Sequence, residues 1–64
     1  MTTGEKIAAL RKEQGMSQEA LGEKLGLSRQ AVSKWEADQA VPTMDNLMVL
    51  CKLFGVPVDT LLRP

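Results

Sequence analysis

Apolar residues recur at intervals of three and four along almost the whole chain, and only six positions are Val or Ile, a pattern that predicts helices throughout and no strand. Thr2 or Thr3 opens the first helix, with Glu5 at capping-box spacing from Thr2, Ile7 and Leu10 as the inward stripe and Gly15 as the stop. Ser17 is the N-cap of a second helix over Gln18 to Leu25, with Leu21 and Leu25 four apart and Gly26 where a left-handed C-terminal turn falls. Ser28 opens a third helix, Arg29 to about Ala37, whose apolar Ala31, Val32 and Trp35 share one side.

The period lapses between Ala37 and Pro42, which reads as a loop because a proline disfavours helical geometry at the residue before it. Thr43 then caps a fourth helix with the stripe Leu47, Leu50, Cys51 and Phe54, stopped by Gly55 and Pro57. A last short turn covers Val58 to Leu62. No linker, repeat or low-complexity tract interrupts this order, so the 64 residues are expected to form a single domain, 1–64, although apolar Leu61 and Leu62 so near the end are also what a fragment of a longer protein would show.

Composition narrows the chemistry. The chain has no histidine and no tyrosine, and its single cysteine forbids an internal disulfide, so no metal site, cofactor site or catalytic constellation is expected and an enzyme is disfavoured. Cys51 on the helix 4 stripe reads as a small buried residue, and Trp35 as core. Ser17, Ser28 and Thr43 read as caps, not nucleophiles. No apolar run reaches the roughly 20 residues needed to span a bilayer, and no signal peptide is visible, which places the expected location in the cytoplasm.

Eight Lys and Arg against eight Asp and Glu give a net charge of zero, so composition alone nominates no partner. The distribution is more informative. On a wheel of about 100° per residue, Arg29, Gln30, Ser33, Lys34 and Ala37 fill an arc of about 140° that faces away from Ala31, Val32 and Trp35 and holds no carboxylate. A guanidinium, a carboxamide, a hydroxyl and an ammonium are the groups that bond base edges and phosphates, Arg to guanine and Gln to adenine in bidentate fashion. Gly22, where helix 3 is expected to cross helix 2, and Gly26, in the short turn, suit two helices meeting at a steep angle, with Leu21, Leu25, Leu27, Val32 and Trp35 closing the wedge.

Ile7, Leu10, Arg11, Ser17-Gln18, Leu21-Gly22, Leu25-Gly26-Leu27-Ser28, Val32, Trp35-Glu36, Pro42, Leu47, Leu50 and Gly55-Val56 together resemble the Cro/repressor-type helix-turn-helix family, the lambda-repressor-like or XRE-like domains, over nearly the whole chain. The resemblance implies an all-α, compact five-helix bundle with the helix-turn-helix at helices 2 and 3, and a transcriptional regulator, expected to be a repressor, that binds double-stranded DNA as a homodimer on a near-palindromic operator. Arg29, Gln30, Ser33 and Lys34 match positions that read bases or nearby phosphates. Gln18 matches a position that contacts the DNA backbone at a helix N-terminus, and Ser28 and Gln39 are assigned to phosphates with it. Arg11 and Glu36 match a structural salt bridge between helices 1 and 3.

One stretch departs from the pattern. The loop after helix 3 often reads Glu-x-Gly-Lys in this family, whereas here it is Glu36-Ala37-Asp38-Gln39, and the missing cation predicts weaker and less salt-sensitive binding. The competing reading is an antitoxin-like or scaffold module that binds protein through helices 4 and 5. It draws on the zero net charge and on Val58, Leu61 and Leu62, which, if exposed, serve either a partner or a dimer interface. Met16 is expected to pack, while Met44 and Met48 are either core or partner surface.

Overall fold

The computed structural model describes residues 1–63 and contains five helices: α1 (Thr3–Glu13), α2 (Gln18–Leu25), α3 (Arg29–Glu36), α4 (Met44–Phe54) and α5 (Val58–Leu62). Helix starts follow the hydroxyl caps. Thr2 forms a full capping box, accepting from the Glu5 N–H while its own N–H donates to the Glu5 carboxylate at 2.8 Å. Ser17, Ser28 and Thr43 accept from Ala20, Ala31 and Asn46 in the same way. Each cap satisfies one of the N–H groups that a helix start leaves without a partner, worth about 1 kcal/mol.

The ends of α1 to α4 are closed by a backbone bond reaching five residues back. After α2 the Leu27 N–H donates to the Gly22 carbonyl at 2.8 Å while Gly26 takes φ 71°, a conformation glycine enters without Cβ strain. The same closure follows α1 (Met16 to Arg11) and α4 (Val56 to Cys51). After α3 it runs from Gln39 to Lys34 at 2.9 Å, and the residue at positive φ is Asp38, at 58°. A non-glycine residue in this position costs energy, and Asp is among the few side chains that tolerate it.

The core is a single cluster: Ile7, Leu21, Val32, Trp35, Leu47, Leu50, Cys51, Phe54 and Leu61, with Leu10, Met16, Leu25, Leu27 and Val58 half-buried against it. Burying each of its large aliphatic side chains is worth about 1.5–3 kcal/mol. Cys51 is enclosed, and burial raises its thiol pKa above the ordinary value. The apolar C-terminus is not the exposed surface it promises in sequence, because Leu61 is fully buried and Val58 half-buried, leaving only Leu62 outside. Exposed apolar side chains lie instead at Val41 and on α4, at Met44, Met48 and Val49, so neither helix 4 methionine joins the core.

Glycine also sets how closely elements approach. A Cβ on Gly22 would lie 2.7 Å from the Leu27 carbonyl oxygen and 3.1 Å from that of Ser28, so it is the turn and the N-cap of α3, more than the body of the helix, that seat on Gly22. A Cβ on Gly4 would lie 2.2 Å from the Trp35 carbonyl oxygen, which locks the first turn of α1 onto the end of α3. At the other edge the Thr3 hydroxyl donates to the Leu61 carbonyl at 2.8 Å and the Lys6 ammonium to that of Thr60 at 3.0 Å, joining α1 to α5.

Candidate nucleic-acid interface

Because Val32 and Trp35 anchor α3 from behind, the opposite side of the helix is turned outward. Arg29, Gln30 and Lys34 are exposed, and Ser33 is half-buried at the edge of the arc. Neither Arg29 nor Lys34 has an ion-pair partner among the described residues. Both cations and the Gln30 carboxamide are therefore free to meet a ligand, on a face without a carboxylate. Ser28 caps α3 by accepting from Ala31 at 3.3 Å, which leaves its O–H free to donate outward. Gln39 lies exposed one turn beyond the C-terminus of α3.

Gln18 is placed differently. It is the first residue of α2, where the early N–H groups have no helical acceptor, but its side chain is half-buried and donates through Nε2 to Glu36 Oε1 at 3.0 Å. One amide proton is thus used inside the protein, and the other, with the backbone N–H, remains for an anion. Glu36 also receives Arg11 Nε at 2.6 Å and Arg11 Nη2 at 3.0 Å, a two-pronged pair whose side chains are only 11% and 8% exposed. Arg11 Nη1 adds a bond to the Met16 carbonyl at 2.8 Å. This network binds α1, the start of α2 and the end of α3 at one point.

The charges respond accordingly. Burial alone pushes the Glu36 carboxyl upward, but hydrogen bonds from Arg11 and Gln18, with attraction to Arg11 and Lys12, outweigh it and hold the group below the ordinary carboxylate value. Hydrogen bonding to Glu36 raises Arg11 further, against desolvation. The Glu36 charge is thereby spent on Arg11 and does not oppose an anion approaching α3.

Asp38 has a role that its sequence position did not disclose. Its carboxylate accepts from the Thr2 hydroxyl at 2.6 Å and from the Gly4 N–H at 3.1 Å, so it caps the start of α1 from the loop after α3. It stands at the glycine position of the Glu-x-Gly-Lys pattern that the loop resembles, and glycine is the residue that most readily takes the left-handed conformation. Nothing in the local pattern indicated that its side chain reaches back to the first helix. The loop carries no lysine, and its acid is committed to a helix N-terminus, where negative charge is stabilising.

Two short helices joined through Gly26, with the second held by its apolar side and its polar side presented outward, define a helix-turn-helix domain. A helix-turn-helix family profile matches residues 7–61, and the chain belongs to this family in its Cro/repressor form, a family of DNA-binding transcriptional regulators and not of enzymes. It is 42% identical over 62 residues, 97% of its length, to the HTH-type transcriptional activator BcrR of Enterococcus faecalis. Among solved structures it superposes on the P22 c2 repressor protein in complex with a synthetic operator with TM-score 0.92 and 38% identity, covering 98% of this chain and 96% of that one. It also superposes on the biofilm regulator SinR in complex with DNA, with TM-score 0.86 and 32% identity, covering 97% and 100% of the two chains. The chain spans 30% of the length of BcrR and 28% of the repressor protein C2 of Salmonella phage P22.

Among the described residues no His, Cys, Asp and Glu side chains gather as a metal site, and no helix is long and apolar enough to cross a membrane.

Proposed function

We propose that this chain is the DNA-reading domain of a bacterial or phage transcriptional repressor, acting in the cytoplasm as a homodimer on a near-palindromic operator whose half-sites lie about 34 Å apart. The observation that carries the reading is the exposed, carboxylate-free arc of α3, presented by α2 and free of internal partners. In the major groove Arg29 bonds the O6 and N7 of a guanine and Gln30 the N6 and N7 of an adenine, while Ser33 and Lys34 contact bases or adjoining phosphates farther along. Ser28 through its free O–H, Gln18 through its remaining amide proton and backbone N–H, and Gln39 from the loop position the domain on the phosphates. Repression follows from occupying a promoter; the sequence similarity to an activator indicates that the same module serves either sign, according to where its operator lies.

The test is selection from a random duplex pool followed by titration of the selected site between about 50 and 200 mM salt. An inverted repeat is expected. With Arg29 on a base edge, Lys34 is the one cation per copy left for a phosphate, which predicts a log affinity against log salt slope of about −2 for two copies, shallower than for basic relatives. Arg29→Ala should weaken binding by about 10- to 100-fold and relax preference at one base pair of each half-site. Unchanged affinity and base preference would remove Arg29 from the readout.

The alternative, a protein-interaction module, is favoured by the exposed α4 side chains and by the resemblance, with TM-score 0.84, to SinR in its complex with SinI. A stable complex with an unrelated protein that survives Arg29→Ala and Lys34→Ala, together with no enriched DNA motif, would replace the first reading by this one.

A further inference from the structure

Helix α4 has a second face that the domain does not use. Its core side carries Leu47, Leu50, Cys51 and Phe54, and on the other side lie Met44, Asp45, Met48, Val49 and Lys52, all exposed. Residues 45, 48, 49 and 52 follow the i, i+3, i+4, i+7 spacing of a contact stripe, with two apolar positions in the middle and one charge of each sign at the ends. Met48 and Val49 are 48% and 44% exposed, and Met44, one turn before Met48, is 56% exposed, so three apolar side chains lie on the outer side of one helix. Asp45 and Lys52 suit the α4 dipole, in its first and last turns, but neither forms an ion pair among the described residues.

This stripe is complementary to itself. When two copies of a helix pack antiparallel about a twofold axis, residues whose numbers share a fixed sum face each other. With the axis passing between Met48 and Val49, Met48 meets Val49 of the second copy, and Asp45 meets Lys52 of the second copy at both ends. A parallel arrangement instead opposes like charges. We infer that the outer face of α4 is a self-association surface, in which α4 of a second copy of this chain packs antiparallel with its own, centred on Met48 and Val49 and closed by two Asp45–Lys52 pairs. The inference deepens the homodimer of the proposed function and rests on that reading for its role on DNA. Four side chains per copy make a small stripe beside the roughly 800 Å² per partner of a standard interface, so the free dimer is expected to be weak and to require high protein concentration, up to about 1 mM, to be populated.

The experiment uses sedimentation equilibrium of the 64-residue chain without DNA, in low salt, at concentrations up to about 1 mM. Wild type is expected to dimerise. Asp45→Lys and Lys52→Asp, each of which makes both ends of the stripe alike in sign, are each expected to weaken self-association by about tenfold. Mixing the two variants in equal amounts should restore dimers to within about threefold of wild type, because each now opposes unlike charges. Restoration on mixing is an outcome that misfolding of either variant does not produce, and far-UV circular dichroism confirms that both remain helical.

A monomeric wild type at about 1 mM, a dimer indifferent to both reversals, or variants that do not rescue one another would each overturn the inference. Binding of Asp45→Lys to a single operator half-site separates this failure from failure of the DNA reading. Wild-type affinity there with no dimer rescue rejects only the α4 interface, whereas absence of DNA binding in every form rejects the DNA reading and leaves the self-association result standing on its own.

Discussion

Replacing Glu36 by Gln is expected to destabilise the domain by about 3 kcal/mol, because it leaves the enclosed Arg11 guanidinium without its counter-charge. A domain of this size has only about 3–10 kcal/mol in total, so the melting temperature should fall by more than about 12 °C. Removing both charges together, as in R11M/E36L, should be milder than either single change, since the cost lies in the stranded charge more than in the loss of the pair. The same residue sets the acid limb of stability. Glu36 titrates below its unfolded value, so its contribution is fully present above about pH 4.3 and is lost as pH falls through the folded value. Thermal denaturation across pH 3–7 should show wild type weakening in acid and E36Q responding less, and a melting shift under about 3 °C at pH 7 would mean that the pair is dispensable. Because Gln18 donates to the same carboxylate, E36Q should also weaken DNA binding in a folded background, by releasing the first residue of α2.

Gly4→Ala has the second large expected effect, with a sign opposite to the one helix propensity gives. In an isolated helix the change favours helix formation by about 1 kcal/mol. In the fold the new methyl would sit 2.2 Å from the Trp35 carbonyl oxygen, 3.0 Å from that of Glu36 and 2.7 Å from the Asp38 carboxylate. Two of these atoms are backbone at the end of α3 and cannot turn aside, so α1 must lift away and surrender the Asp38 cap. A loss of about 2–3 kcal/mol in denaturant unfolding is expected. A stabilised G4A protein would show that the contact between α1 and α3 is loose.

The helices were legible in the sequence because their signals are local. Thr2, Ser17, Ser28 and Thr43 stand at the helix starts, Gly26 and Gly55 stand just beyond two helix ends, and the stripe of α4 names its own core residues. The outward arc of α3 was equally readable, since period alone separates Arg29, Gln30 and Lys34 from Val32 and Trp35. What escaped were contacts between residues distant in sequence whose types suggest something else. Gly4 looks like a weak helix former until α3 is placed against it. Asp38 looks like an unhelpful charge beside a DNA-binding helix until its side chain is seen at the start of α1. Leu61 looks like an exposed end until α5 folds under the core. The assignment of Gln18 to a phosphate missed its inward bond for the same reason, because its acceptor lies 18 residues away.

The bonds from Thr3 and Lys6 to the carbonyls of α5 have a consequence for how the protein comes to exist during synthesis. α5 is only five residues long and has no side-chain cap of its own, so it depends on a helix translated more than fifty residues earlier. A nascent chain that has emerged as far as Phe54 already carries all of α3, but it lacks Leu61 in the core and the acceptors that fix α1. The readout helix and its braces from α1 and α2, the Arg11–Glu36 pair, the Gly22 seat and the Asp38 cap, are thus all synthesised before α5, and what the last turn adds is Leu61 in the core and the acceptors for Thr3 and Lys6.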